Sequence, residues 1–92
     1  MKKRKNKFDI NSYPLVQIKW LDIQSDSSWL DIDELLKQEL PVCISKGHLL
    51  TRSNGITRIF ADYNLKENTN EIQDISNASI IPNSVIIEIK KI

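Results

Sequence analysis

Val42–Leu50 reads "VCISKGHLL". It holds the only Cys, the only His and one of the two Gly residues of the chain within six positions. Two readings compete: a reactive Cys43–His48 pair, or a bent strand that collects rare residues. Val42 and Ile44 alternate with Cys43 and Ser45, which is the two-residue period of a strand. A nucleophilic pair needs its groups within hydrogen-bond reach. Five residues of strand span ~16 Å, and odd spacing sets the two side chains on opposite faces. The stretch therefore reads as a strand. Cys43 is expected inside as a small apolar residue. Gly47 interrupts the run, as Gly does at a bulge or sharp bend. Ser45 and His48 are left as candidate ligand contacts.

The strand continues downstream into "HLLTRSNGITRIFADY". Asn54-Gly55 is a strong hairpin signal, because a type I′ turn needs positive φ at both residues. A two-residue turn sets Ser53 opposite Ile56, Thr51 opposite Arg58 and Leu49 opposite Phe60. Leu50 with Ile59, and His48 with Ala61, then share the other face. Both faces are apolar near the hairpin base, which suits a small barrel with something covering its outside.

Upstream, "WLDIDELLKQELP" predicts a short helix over about 31–39. Asp31 is the expected N-cap, with Glu34 as its capping-box partner and Leu30 and Leu35 as a hydrophobic staple. Pro41 ends it. Before the helix, "YPLVQIKWLDI" alternates, with Val16, Ile18 and Trp20 on one face and Leu15, Gln17 and Lys19 on the other. After the hairpin, "NLKENTNEIQDISNAS" is polar and predicts a loop. "IIPNSVIIEIKKI" then predicts a strand, a Pro-started turn and a last strand. In that last strand Val85, Ile87 and Ile89 are expected on one face, and Ile86 and Glu88 on the other.

The fold class expected is mainly β with one short α-helix, as a small SH3-like or Sm-like barrel of five to six strands. Residues 13–92 form that single domain, preceded by a basic flexible arm over 1–12.

Composition narrows the function. The chain has 92 residues, 40% hydrophobic and 27% charged, as in ordinary globular domains. No run approaches the ~20 apolar residues of a membrane span, and the N-terminus lacks the apolar core of a secretory signal. A single Cys fits a reducing compartment, so a cytoplasmic location is expected and no membrane. Five of the 13 basic residues, Lys2, Lys3, Arg4, Lys5 and Lys7, lie in the first seven positions. The rest of the chain carries eight basic residues against 12 acidic ones. Nucleic acid is therefore expected at the arm or nowhere.

One Cys and one His supply no metal site. Two Gly residues supply no phosphate loop. No nucleophile elbow is present. No catalytic constellation, metal or cofactor is expected. A ligand site, if there is one, draws on Trp29, Ser45, His48, Arg52, Arg58 and Tyr63. These offer ring stacking and phosphate contact. Trp29 is also a candidate subunit contact, since Trp is enriched among interface anchors.

Three blocks, "VQIKWLDIQSDSSWLDIDEL", "PVCISKGHLL" and "IIPNSVIIEIKKI", together resemble a family of small, uncharacterised bacteriophage and prophage proteins. The positions that carry the resemblance are Trp20, Asp22, Trp29, Cys43, Ser45, Gly47, Leu49, Ile81, Pro82, Ser84 and Ile86. His48 departs from it, standing where an aromatic or apolar residue is expected. The resemblance implies an SH3-like or Sm-like barrel and a phage or prophage source, and implies no activity. Small phage proteins of this kind often act early in infection or against host defence. The expected function is a non-enzymatic accessory binding protein, a homo-oligomer that sequesters a small nucleotide signal. The alternatives are an Sm-like RNA-binding ring and an inhibitor that binds a host protein.

Overall fold

The computed structural model describes residues 7–92. Lys2, Lys3, Arg4 and Lys5 of the proposed nucleic-acid arm lie outside the described residues. The protein is mainly β, with five antiparallel strands and one short α-helix among the described residues. The strands are β1 (Leu15–Leu21), β2 (Val42–Ser53), β3 (Ile56–Leu65), β4 (Ile72–Pro82) and β5 (Ile86–Lys91). The helix α1 (Ile32–Lys37) lies between β1 and β2. The sheet order is β4-β3-β2-β1-β5, and every neighbouring pair is antiparallel.

The sheet must curl, and the core shows it. In a flat sheet β4 and β5 would stand roughly 19 Å apart, at ~4.8 Å per strand. Yet Ile81 of β4 shares one cluster with Val16, Ile18 and Ile59, against which Ile86 and Ile89 of β5 also pack. The two edges thus turn toward one interior. They share no backbone ladder, so the sheet stays open. A 3-10 turn, Asn83–Val85, carries the chain from one edge to the other.

The strand Val42–Ser53 makes this geometry possible. Its first half pairs with β1, from Val42 opposite Leu21 to His48 opposite Leu15. From His48 onward it pairs with β3. Gly47 sits at the handover. A Cβ built there would lie 2.9 Å from the Phe60 carbonyl oxygen and 3.3 Å from Ile59 Cβ. Glycine is thus required by space. Cys43 is half-buried opposite Trp20, where the sequence reading expected it inside.

The hairpin forms as the sequence predicts, with Asn54 at φ 53° and Gly55 at φ 77°. Ser53 faces Ile56 and Thr51 faces Arg58. The expected Leu49–Phe60 pair does not form. A bulge at Leu50 shifts the register, so that Leu49 faces Ile59 and His48 faces Phe60. One extra residue in one strand breaks strict alternation. The same device corrects the last strand. Lys19 faces Glu88 but Trp20 faces Ile86, which leaves Ile87 as the extra residue. Ile86 and Ile89 therefore both point inward, and Ile87 is exposed.

Two further expectations are corrected. Residues 64–79, read as a loop, belong mostly to a long β3–β4 hairpin that runs from Ile56–Pro82 out to Leu65–Ile72. Its outer half is exposed on both faces. Tyr63 pairs with Ile75 and Leu65 with Ile72, but the register shift at Gln73 spaces Ile72 and Ile75 three apart and hides the strand period. The arm also ends earlier than residue 12. Asp9 bridges Glu71, the Ile10 amide donates to the Asn70 carbonyl at 2.9 Å, and the Ile72 amide donates to the Phe8 carbonyl at 2.8 Å. Residues 10–12 form a 3-10 turn capped by Asp9.

The helix is shorter than 31–39, since Gln38 is already extended. Asp31 caps it by accepting from the Glu34 amide at 2.7 Å. No residue of α1 is buried.

Candidate functional site

A second packed region lies on the outer side of the sheet, and it forms the candidate site. Phe60 is adjacent to the core residue Ile59 in a strand, so its ring points to the opposite face. It is nevertheless 1% exposed. Three rings bury it. His48 stacks on it at 5.3 Å, and Tyr13 meets it edge-on at 5.8 Å. Tyr63 stands edge-on to both His48, at 5.3 Å, and Phe60, at 6.4 Å. Edge-to-face and offset contacts at such spacing contribute beyond simple burial.

His48 is held in a defined state. Its Nδ1 lies 2.9 Å from the Tyr13 carbonyl oxygen. A carbonyl only accepts, so Nδ1 carries the proton and donates. In the neutral ring this leaves Nε2 as an acceptor. The bulge at Leu50 and the N-terminal turn both serve this cluster. The first sets His48 against Phe60, and the second brings Tyr13 beside it.

Next to the rings is a cavity of about 250 Å³, lined by Phe8, Tyr13, Leu50, Phe60, Ile72, Gln73, Asp74 and Ile75. Its wall is almost wholly apolar. The polar side chains are Tyr13, Gln73 and Asp74, and among the described residues no Lys or Arg lines it. A smaller space of about 220 Å³ adjoins Tyr63, Asp74 and Ile75.

The structure gathers only part of the candidate set. His48 and Tyr63 come together at the Phe60 ring. Ser45 is on the inner face, where its hydroxyl accepts from Trp20 Nε1 at 3.0 Å. Arg52 donates from Nε to Thr57 Oγ1 at 3.1 Å, and Arg58 donates to Thr51 Oγ1 at 3.3 Å. Thr57 is fully buried and donates on to Asn83 Oδ1, which ties the hairpin to the β4–β5 turn. The arginines stand near the hairpin turn, and from Arg58 to Tyr63 is five strand residues, ~16 Å. Trp29 is 101% exposed, on the excursion between β1 and β2. Lys7 lies with its ammonium 5.4 Å from the Phe8 ring. Cys43 faces Trp20 on the inner side, whereas His48 is on the outer side, so the two form no pair.

The excursion is itself a surface. Ile23, Trp29, Ile32, Leu35, Leu36 and Leu40 are all exposed. Ile32, Leu35 and Leu36 fall on one helix face by their spacing. Six acidic residues and one Lys lie between Asp22 and Leu40. The Ser28 hydroxyl and amide both donate to Asp26, at 2.6 and 2.9 Å, and hold its carboxyl below its ordinary range.

Sequence reasoning missed Phe8, Tyr13, Leu50, Phe60, Ile72 and Ile75 as cavity residues. The apolar residues on both faces of the hairpin base were the one available signal, and it pointed to Leu50 and Phe60. Among the described residues no group of three or more His, Cys, Asp or Glu is placed to hold a metal, and no helix is long and apolar enough to cross a membrane. Set against protein-family models, curated proteins and solved structures, the chain matches none of them.

Proposed function

We propose that this chain is a non-enzymatic accessory binding protein of a phage or prophage, working in the bacterial cytoplasm through a protein-contact surface on the β1–β2 excursion. The observation that carries this reading is Trp29, wholly exposed on a segment that also exposes Ile23, Ile32 and Leu36. Burying each such side chain is worth about 1.5–3 kcal/mol. Monomeric proteins rarely leave large apolar patches open to water. The phage assignment rests on the resemblance of the three sequence blocks. The test is retention of a bound protein by the purified chain, compared between the parent and Trp29→Ala. Trp29 buries nothing in the fold, so the melting temperature of the variant stays within about 2 °C of the parent. The bound protein, another copy or a host protein, is held at least ~30-fold more weakly. Equal retention by both proteins overturns the reading.

A second reading, capture of a small nucleotide signal, is supported by the His48 and Tyr63 rings beside the cavity. Among the described residues no cation lines the cavity wall, so on this reading phosphate contact falls to Arg52 or Arg58 of a neighbouring protomer. On this reading, one member of a nucleotide panel raises the melting temperature by several degrees. The rise disappears in Arg58→Ala. A flat response across the panel removes this reading.

A further inference from the structure

We infer that two copies of the chain exchange their β1–β2 excursions, each laying its acidic, apolar α1 segment on the outer face of β2, β1 and β5 of the other. This rests on the excursion being a protein-contact surface, and it names the partner as a second copy of the chain.

The strand registers build the receiving face. Val16 and Ile18 are buried on the inner side, so Gln17 and Lys19 turn outward. Residues directly opposite one another share a face. Lys46 and Lys90 stand opposite Gln17 on its two sides, and Ile44 and Glu88 stand opposite Lys19. With strands ~4.8 Å apart, three lysines surround one side-chain amide and face a single carboxylate, that of Glu88. None of the three is in an ion pair among the described residues. The same face is apolar as well. Val42, Ile44 and Ile87 are each at least half exposed. An antiparallel sheet with one wet face usually turns polar side chains to the water. This face instead sets aliphatic side chains among lysines.

The excursion carries the complement. Ile32, Leu35 and Leu36 form an exposed apolar helix face, with Trp29 just ahead of it. From Asp22 to Leu40 there are six acidic residues and one Lys. Apolar surface thus meets apolar surface, and carboxylates meet lysines, the arrangement that steers association and fixes register. The aliphatic residues among the lysines favour such a partner over a phosphate backbone, which brings no aliphatic surface.

Exposure and size point to a reciprocal contact between copies. The Asp22 amide donates to the Pro41 carbonyl at 3.0 Å, so the excursion leaves and returns at one place beyond β1 and β2. Within one protomer Trp29, Ile32 and Leu36 stay open to water, and so do Val42, Ile44 and Ile87. A stable interface takes about 800 Å² from each partner. A one-way contact through a six-residue helix is small against that. A two-fold exchange gives each copy both roles, doubles the contact and closes the assembly as a dimer.

Sedimentation velocity tests this by exchanging charge. The parent is a dimer that added salt loosens. In one variant Asp33→Lys, Glu34→Lys and Glu39→Lys leave residues 32–40 with no carboxylate and four lysines. In the other, Lys46→Glu and Lys90→Glu turn the receiving face acidic. All five positions are exposed. Each variant alone sets like charges against one another and dimerises at least ~30-fold more weakly. Mixed together, the two form a one-to-one dimer, because both of its contacts then join opposite charges. A chain with all five substitutions dimerises with itself for the same reason. Circular dichroism checks that each variant keeps its fold. Ile87→Glu replaces the lysine pair if that variant unfolds, and it too weakens the dimer. A parent that is monomeric at every concentration overturns the inference, as do variants that dimerise like the parent. A mixture and a five-substitution chain that both stay monomeric overturn it as well. The broader contact-surface reading then stands if Trp29→Ala loses a host protein that the parent holds, and falls if it does not.

Discussion

Replacing Gly47 with Ala lowers the unfolding free energy by about 2–4 kcal/mol, measured by urea denaturation. The added methyl would sit 2.9 Å from the Phe60 carbonyl oxygen and 3.1 Å from its carbon. Both are backbone atoms in the centre of the sheet, which cannot swing aside as a side chain can. Either β2 and β3 separate, or the handover from β1 to β3 straightens. Both responses loosen Ile18 and Ile59, which are 0% and 3% exposed. A domain of this size has about 5–14 kcal/mol of stability in all. The comparison that isolates the cause is Gly55→Ala. Gly55 has φ 77° and nothing within 4 Å of a built Cβ. Its cost is conformational only, about 1 kcal/mol. Equal losses at the two positions would show that packing at Gly47 is not what requires glycine.

Phe60→Ala is expected to cost about 3–5 kcal/mol, the range for deleting a buried aromatic ring. It removes the surface on which His48, Tyr13 and Tyr63 rest, and it opens the wall of the cavity. Phe60→Leu keeps most of the volume and costs about 1–2 kcal/mol. The two variants separate packing from ring contact. In Phe60→Leu the fold persists, while the part of the ring-current shift that Phe60 imposes on the His48 protons is lost from the proton NMR spectrum. A His48 signal unchanged by Phe60→Leu would mean the stack at 5.3 Å does not hold the His48 ring.

Local rules carried much of the fold. Alternation in Val16, Ile18 and Trp20, the Asp31 cap, the Asn54-Gly55 turn and the turn after Pro82 depend on neighbours within a few residues. Their physics is visible in any short window of sequence. Gly47 was legible as an interruption, although the reason for it, the backbone of Phe60, lies 13 residues away. The errors share one cause as well. The bulges at Leu50 and Ile87 are settled by which register fills the core, and a one-residue shift turns side chains to the other face. In the outer half of the β3–β4 hairpin the irregularity at Gln73 sets Ile72 and Ile75 three residues apart, so no two-residue period announces the strand.

The candidate site divides in the same way. The sequence by itself marked His48, Tyr63 and Trp29 as residues to watch, and its one Cys, one His and two Gly set the expectation of no Cys–His pair, metal site or phosphate loop. Only the tertiary structure decided that His48 and Tyr63 meet over Phe60, that Ser45 is taken up by Trp20, and that Arg52 is taken up by Thr57. Only it placed Trp29 in open solvent and built an apolar cavity from residues as distant as Phe8 and Ile75. The physical reason is that a side chain's hydrogen-bond partners and exposure are set by whatever packs against it. In a curled five-stranded sheet that is mostly another strand, distant in sequence.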